Sequence, residues 1–174
     1  GSKVDKMFFK DEEKSESAVS KIKNHSYSIK AIDERNISRK PKAPFNTSML
    51  QQTANSQINF SASQTMTVAQ GLYMGVDIGL ETIALITYMR TDSISLSNDT
   101  LSILRDKIKS EYGEEYVPKD PIIYKTKKKN AQEAHEAIRP TDINIHPESI
   151  KDSLTEEQFK LYNLIWRRTI SSQM

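Results

Sequence analysis

Tyr88 and Arg90 lie two residues apart in the stretch "LITYMRTDS", and their functional groups suit an attack on a phosphodiester. A phenol with the ordinary pKa of about 10 is a weak nucleophile at neutral pH unless a neighbour stabilises the phenolate or accepts the proton. In an extended segment, side chains two residues apart lie on the same side, and a guanidinium there can bind a phosphate through two hydrogen bonds. A tyrosine in a strand is more often a packing residue, so that alternative stays open. Short polar side chains flank the pair at Thr87, Thr91, Asp92 and Ser93.

A second polar cluster occupies "NAQEAHEAIRPT", residues 130–141. The pattern predicts a brief helix at 130–138, in which three- and four-residue spacings place Gln132, His135 and Arg139 on one face. Such a face suits a phosphodiester better than a hydrophobic core. A metal site is disfavoured, because His135 has no second histidine four residues on and the glutamates beside it do not share its face of the helix.

The elements that must position these side chains are mainly helical. Apolar periodicity and capping residues predict helices at 48–57, 63–74 and 97–112, and a further helix that starts after a capping box of Thr155 and Gln158. The first two resemble a helix-turn-helix, but we favour an ordinary helical hairpin because neither helix is basic. Gly75 suits a left-handed cap of the second helix. The apolar run Ile83–Ile86 predicts a short buried strand that delivers Tyr88.

The ends of the chain carry weaker signals. Residues 3–24 predict a weakly packed helix or a frayed end, and Tyr27–Ile32 predicts an edge strand. Two prolines in "RKPKAPF", residues 39–45, indicate a domain boundary. Residues 118–129 predict a loop and a short strand. The predicted fold class is therefore mainly α with a minor β component.

Composition excludes several classes of protein. Of the 174 residues, 36% are hydrophobic and 28% are charged, and the net charge of +2 is too small by itself to indicate a polyanionic partner. The absence of cysteine excludes disulfides and thiolate catalysis and is compatible with a reducing cytoplasm. No apolar stretch is long enough to span a membrane. Gly1 and Ser2 are typical of the scar of a cleaved tag, so we expect a piece of a longer protein.

Taken together, the motifs resemble a known enzyme family. "LITYMRTDS" is followed about forty residues later by "AQEAHEAIRPT" and preceded by "APFNTSMLQQTA" and "TMTVAQGLY". The combination is similar to the central region of bacterial type IA DNA topoisomerases, from about Pro41 to Met174, and the tyrosine and histidine motifs are highly specific.

The resemblance implies a mechanism. Tyr88 would attack a phosphodiester of single-stranded DNA to form a 5′-phosphotyrosine link, and after strand passage the reverse reaction would reseal the break. Negatively supercoiled DNA would thereby be relaxed without ATP, because transesterification conserves the bond energy. Arg90 would contact the scissile phosphate, and His135 would lie at the same site. The resemblance places further DNA-contacting positions at Gln70, Thr87, Thr91, Asp92 and Arg139.

The chain departs from the family pattern in two respects. Met74 stands where many members carry glutamate. The family binds Mg²⁺ through clustered carboxylates in a separate N-terminal domain, and no such Asp-x-Asp cluster occurs in this sequence. We therefore expect the isolated chain to be inactive, with the magnesium ligands elsewhere in a full-length enzyme that is monomeric, cytoplasmic and associated with the nucleoid.

The implied domain organisation has four parts. Residues 1–2 are the scar, 3–43 an edge piece of a β-rich gate domain, 44–145 a winged-helix-like tyrosine domain, and 146–174 the start of the next gate or support segment. A non-catalytic helix-turn-helix-like DNA-binding module and a protein-interaction fragment are the competing hypotheses. A solvated loop and a DNA-tracking patch are equal alternatives for a cluster of lysines at Lys119, Lys125, Lys127, Lys128 and Lys129.

Overall fold

The computed structural model describes residues 11–37, 39–125 and 135–174, and the chain divides into two compact units between Ser38 and Arg39. No division occurs at residue 146, and the domain limits given above stay a prediction. The predicted fold class is confirmed, because the described ranges contain helices and one two-stranded sheet. The helices are α1 (Glu12–Lys23), α2 (Thr47–Ile58), α3 (Ala62–Met74), α4 (Asn98–Glu111) and α5 (Glu156–Ser171), the strands are β1 (Val76–Ile78) and β2 (Glu81–Ile83), and short 3₁₀ helices cover Glu114–Tyr116 and Pro147–Ser153.

The first unit contains α1, which buries none of its side chains. Its N-cap is Asp11, whose carboxylate accepts a hydrogen bond from the backbone N–H of Glu13 at 3.0 Å. Acidic residues in the first turn and Lys21 and Lys23 in the last turn complement the helix dipole. Caps and charges rather than packing therefore hold α1, and the prediction of a weakly packed helix is confirmed.

The predicted edge strand at Tyr27–Ile32 is wrong. Residues 26–37 form no helix or strand, and Ile29 is 80% exposed. A strand gains its stability from a hydrogen-bonded neighbour and a buried face. The described part of the chain offers this segment neither, so the alternating pattern alone does not produce a strand.

The core of the second unit lies between α2, α3 and α5, which pack against one another. The last helix buries an apolar stripe of Tyr162, Ile165, Trp166 and Ile170, in agreement with the helix predicted from its apolar periodicity. The side chains of Tyr162 and Trp166 also donate hydrogen bonds to backbone carbonyls that precede the helix. The core further contains Phe45, Leu50, Ala54, Val68, Ala69, Leu72, Leu85, Ile86, Met89, Leu104, Ile108 and Ile138.

Side-chain caps start the helices of the second unit, as the sequence predicts. The hydroxyl of Ser97 accepts a hydrogen bond from the N–H of Thr100 and caps α4. At the start of α5, the Thr155 hydroxyl and the Gln158 amide each bond to the other residue's backbone, so the capping box is confirmed. Asn46 and Ser61 cap α2 and α3 in the same way. Local capping therefore explains why these helix starts were predictable.

A β-hairpin follows α3 directly. Gly75 joins the two with a φ of 120° and a ψ of 150°, which is not the left-handed helical conformation predicted for it. A Cβ at this position would lie 2.7 Å from the Cγ2 of Thr82 on the opposite strand, so only glycine fits. The predicted strand Ile83–Ile86 is only partly correct, because β2 ends at Ile83. Ile86 instead makes an isolated bridge with Pro140, which has no N–H to continue a ladder.

Two further segments differ from the prediction because their backbone groups form hydrogen bonds with distant residues. Residues 118–125 contain no strand, and the N–H and C=O of Ile122 bond to the side-chain amide of Gln173 at 3.1 and 2.9 Å. Residues 135–138 are not helical, since the N–H groups of Ala137 and Ile138 bond to the carbonyls of Ser95 and Phe45. The rest of the predicted helix at 130–138 lies outside the described residues.

The buried phenol of Tyr162 predicts sensitivity to alkaline pH. Its hydroxyl donates to the carbonyl of Ile145 at 2.7 Å, and burial, with a smaller contribution from Asp142, raises its pKa well above the ordinary value. The folded state then keeps a proton that the unfolded chain loses above about pH 10, so this group favours unfolding as the pH rises through that value. We expect Tyr162→Phe to flatten the fall in melting temperature above about pH 10. An unchanged pH profile would contradict this.

Candidate active site

Tyr88 lies on a loop between the bridge at Ile86 and the start of α4, and its side chain is 42% exposed. The edge of its ring packs against Tyr73 of α3, with ring centroids 5.3 Å apart and planes inclined by 64°. Exposure alternates along the loop, since Tyr88 and Arg90 are exposed while Met89 is buried. Both reactive side chains therefore reach solvent from the same loop, although the loop is not a regular strand.

Thr87 fixes the upstream side of this loop to the segment 137–141. Its hydroxyl donates to the carbonyl of Ala137 at 2.7 Å and accepts from the N–H of Arg139 at 3.0 Å, and its own N–H donates to the carbonyl of Arg139 at 2.9 Å. One step further back, the N–H of Thr141 bonds to the carbonyl of Leu85 at 3.0 Å. The residue before the tyrosine is thus held by three hydrogen bonds.

Thr47, at the start of α2, fixes the downstream side. Its hydroxyl lies 2.8 Å from the carbonyl of Met89 and 3.1 Å from that of Thr91, and it accepts from the N–H of Thr91 at 2.9 Å. The N–H of Thr47 also donates to the carbonyl of Thr91 at 3.0 Å. The positive end of the α2 dipole therefore faces the loop that carries Arg90, which favours negative charge there.

Glu136 and Arg139 form an ion pair behind the loop. The Nε and Nη2 of Arg139 donate to one carboxylate oxygen of Glu136 at 2.9 and 2.5 Å, and the other oxygen accepts from the N–H of Ser97 at 2.7 Å. Burial disfavours the charged carboxylate, but the bonds from Ser97 and Arg139 outweigh it and hold the pKa of Glu136 below its usual value. The pair joins the histidine-bearing segment to the start of α4.

The structure brings the tyrosine and histidine motifs together. His135 is exposed, and its Cα lies within about 7.6 Å of that of Ala137, because consecutive Cα atoms are about 3.8 Å apart. Gln70 is exposed on α3 one turn before Tyr73, the residue that contacts Tyr88. The Arg90 guanidinium has no hydrogen bond or ion pair with any residue in the described ranges, so it is available to a ligand.

Other residues predicted to contact DNA have their polar atoms engaged by the protein. Thr91 is buried, and its hydroxyl accepts from the N–H of Ser93 at 3.0 Å. The hydroxyl of Thr87 and the guanidinium of Arg139 are used in the contacts given above. Asp92 is exposed, and its carbonyl lies 3.5 Å from the amide nitrogen of Asn46. Gln132, Glu133 and the lysines at 127, 128 and 129 lie outside the described residues.

Two residues that position the loop were not singled out by sequence reasoning. Thr47 looks like an ordinary first-turn threonine, and the only sequence signal for it is its place within "APFNTSMLQQTA". Tyr73 packs against the helical core, and its ring also contacts that of Tyr88. Met74, also noted above, is largely exposed on the last turn of α3 and adjoins Tyr73.

The described residues contain no group of three or more His, Cys, Asp or Glu side chains placed to hold a metal ion. None of the described helices has the length and apolar character needed to cross a bilayer.

Comparison with known proteins gives a consistent result. Residues 1–174 match the family described as DNA topoisomerase. DNA topoisomerase 1 of Rickettsia bellii is 49% identical over 172 residues, which is 99% of this chain and 22% of that protein. DNA topoisomerase 1 of Helicobacter pylori is 42% identical over 174 residues, covering 100% of this chain and 24% of that protein.

A solved structure agrees with the sequence matches. Full-length topoisomerase I from Thermotoga maritima superposes on 78% of this chain and 21% of that chain, with a TM-score of 0.67 and 45% identity. The chain thus spans about a fifth to a quarter of the length of these relatives. The chain belongs to the bacterial type IA DNA topoisomerase family.

Proposed function

We propose that this chain is the tyrosine-bearing part of a type IA topoisomerase and that Tyr88 is its nucleophile. The observation that carries the proposal is the loop from Thr87 to Thr91, on which an exposed Tyr88 and an exposed Arg90 are held from both sides by threonine hydroxyls. A buried tyrosine would favour the non-catalytic DNA-binding module instead. Tyr88 is 42% exposed, which favours a side chain that reaches a substrate.

The proposed reaction is a transesterification. The phenol oxygen of Tyr88 attacks the phosphorus of a DNA phosphodiester, and the bond from phosphorus to the 3′ oxygen breaks as the new bond forms. The proton lost from the phenol is balanced by the proton that the leaving 3′ oxygen gains. The products are a 5′-phosphotyrosine and a free 3′-hydroxyl, and attack by that hydroxyl reverses the reaction without ATP.

The exposed polar residues around Tyr88 have separate roles in this proposal. Arg90 binds the scissile phosphate and stabilises the charge that develops on its oxygens. His135 and Gln70 contact the same DNA strand from the two neighbouring segments. Thr87, Thr91, Asp92 and Arg139 remain proposed DNA-contacting residues, and the hydrogen bonds that Thr87, Thr91 and Arg139 make within the protein also hold the site together.

The described residues do not fit a magnesium site. The family uses Mg²⁺, but the described ranges offer no cluster of carboxylates that could hold it, and hard divalent cations require several oxygen ligands. The ligands would therefore come from another part of a longer enzyme. We propose that this enzyme relaxes negatively supercoiled DNA in the cytoplasm as a monomer associated with the nucleoid, and that 44–145 is its tyrosine domain.

A covalent-adduct assay tests the proposal. The longer enzyme is incubated with a 3′-labelled single-stranded oligonucleotide and Mg²⁺, denatured, and analysed on a gel. We expect the label to migrate with protein, and the tryptic peptide that carries DNA to contain Tyr88. The 174-residue chain alone is the comparison, and we expect it neither to form the adduct nor to relax plasmid. Cleaved DNA without a protein link would contradict the proposal.

Replacing Thr47 tests whether the loop must be held. Thr47→Val removes the hydroxyl that bonds to Met89 and Thr91 while keeping the side-chain volume, so the loop loses its downstream attachment. We expect cleavage by the longer enzyme to slow about 10- to 100-fold, because a nucleophile displaced by even an ångström is poorly aligned. DNA affinity should change little.

Two variants on the same helix serve as controls for this prediction. Thr47→Ser keeps the hydroxyl and should restore most of the rate. Thr53→Val, at a half-buried position of α2 that does not contact the loop, should leave the rate unchanged. If Thr47→Ser were as slow as Thr47→Val, the lost hydrogen bonds would not explain the effect.

A further inference from the structure

A basic groove lies between the C-terminal end of α2 and one face of α5, and we call it the α2–α5 groove. Its volume is about 380 Å³. From α2 it is lined by Gln57 and Ile58, and from α5 by Lys160, Asn163, Arg167 and Arg168. None of the residues described above for the Tyr88 loop lines it.

The groove has three cations, and among the described residues that line it there is no acidic side chain. Arg168 has a structural role, since its guanidinium stacks 4.2 Å from the ring centroid of Phe45 and donates to the carbonyl of Ala43 at 3.3 Å. Arg167 is exposed and has no hydrogen bond or ion pair with a described residue. Lys160 pairs with Glu156 at 2.5 Å. Such an exposed pair contributes little and can be exchanged for another anion.

The hydrogen-bond donors of the groove form a row. Lys160, Asn163 and Arg167 follow one another at three- and four-residue spacings and so lie along one face of α5. Arg167 follows Lys160 by seven positions, which corresponds to about 10 Å along the helix axis. The two cations are therefore far enough apart to contact different phosphates. A row of this kind matches a polymer with regularly spaced negative charge.

The groove is separate from the Tyr88 loop. Thr47 bonds to that loop at the N-terminal end of α2, whereas Gln57 and Ile58 lie at the opposite end of the same helix. The ten or so residues between them correspond to about 15 Å. A phosphate at the Gln57 and Ile58 end of the groove is therefore not the one that Tyr88 attacks.

We propose that the α2–α5 groove binds the phosphodiester backbone of a DNA strand away from the cleavage point. Its lining is mainly polar, with Ile58 among its few apolar residues, whereas the centres of protein interfaces are apolar and aromatic. The groove therefore suits a nucleic-acid backbone better than an acidic protein segment. The identity of the polymer rests on the proposed function.

Salt-dependent binding tests this assignment. The affinity of the 174-residue chain for a fluorescent single strand of about 20 nucleotides is measured by anisotropy over a range of salt concentrations. For comparison, one OB fold covers ~4–16 nucleotides. Arg167→Gln should weaken binding about three- to tenfold. The double variant Arg167→Gln and Lys160→Gln should lower the slope of log K against log salt by about 1.4, because each phosphate contact contributes about 0.7 to that slope. Arg35→Gln, an exposed arginine of the first unit, removes the same charge outside the groove and should have little effect.

Three outcomes would overturn the assignment. The first is equal weakening by Arg167→Gln and Arg35→Gln, and the second is no measurable binding by the unmodified chain at low salt. The third is unchanged DNA affinity together with a lower melting temperature of the longer enzyme carrying Arg167→Gln, which would place an acidic part of that enzyme in the groove. The proposed function fails if no Tyr88 adduct forms. The groove assignment would survive that result, because weaker binding by Arg167→Gln would still assign DNA to the groove.

Discussion

Tyr88→Phe should abolish formation of the covalent protein–DNA adduct by the longer enzyme while leaving its affinity for single-stranded DNA nearly unchanged. The substitution removes only the phenol oxygen, which is the atom that forms the bond to phosphorus. The ring remains, so the edge-to-face contact with Tyr73 persists and the loop keeps its place. Denaturing gels measure the adduct, and anisotropy with the same oligonucleotide measures binding.

Tyr73 supplies a demanding control, because its ring centroid lies 5.3 Å from that of Tyr88 and it is the other phenol near this loop in the described chain. Tyr73→Phe also removes a single oxygen, and we expect it to keep most of the cleavage activity. If adduct formation survived in Tyr88→Phe and disappeared in Tyr73→Phe, the nucleophile would be Tyr73. Loss in both variants would indicate that the two phenols act together, contrary to the roles proposed above.

The helices were predictable because their determinants are local. The capping box of Thr155 and Gln158 lies within three residues, and the buried stripe of α5 repeats at helical spacing. The same holds for α4, where Ser97 caps the helix and Leu101, Leu104 and Ile108 are buried, although Tyr112 at its end is exposed. Nothing distant is needed to specify these elements, so a single sequence contains enough information for them.

The irregular segments were not predictable, because their hydrogen-bond partners are distant in the sequence. The backbone of Ile122 is satisfied by the side chain of Gln173, 51 residues later in the chain. The N–H of Ile138 bonds to the carbonyl of Phe45 instead of closing a helical turn. Periodicity within a short window cannot report such partners. It therefore predicts a short strand within 118–129 and a helix at 130–138, whereas the described parts of these segments, 118–125 and 135–138, contain neither.

The candidate site shows the same division. The alternation of Tyr88, Met89 and Arg90 could be inferred from the sequence, and the structure exposes the first and third of these side chains. The residues that hold them could not be inferred, since Thr47 bonds to a carbonyl 42 positions later. The reactive groups of this loop are thus local in sequence, whereas the geometry that aligns them depends on contacts between distant segments.

Arg90→Ala should slow cleavage by the longer enzyme about 100- to 1,000-fold, the usual cost of removing one group that stabilises developing charge in a transition state. The Arg90 guanidinium has no hydrogen-bond or ion-pair partner within the described ranges, so its removal should not lower the melting temperature. A loss of rate can then be assigned to chemistry or to DNA binding. Measuring the single-turnover rate at saturating DNA separates these two effects, because binding losses disappear at saturation.

Arg90→Lys separates charge from geometry in the same assay. Lysine keeps the positive charge but lacks the planar fork that binds two phosphate oxygens at once, so we expect it to restore only part of the lost rate. Lys109→Gln removes a positive charge from α4, where the residue pairs with Glu114, and should leave the rate unchanged. If Arg90→Ala raised the dissociation constant yet reached the normal rate at saturation, Arg90 would only bind DNA. In that case the charge on the transition state would have to be stabilised by other groups, such as the N-terminal end of α2, which bonds to the loop.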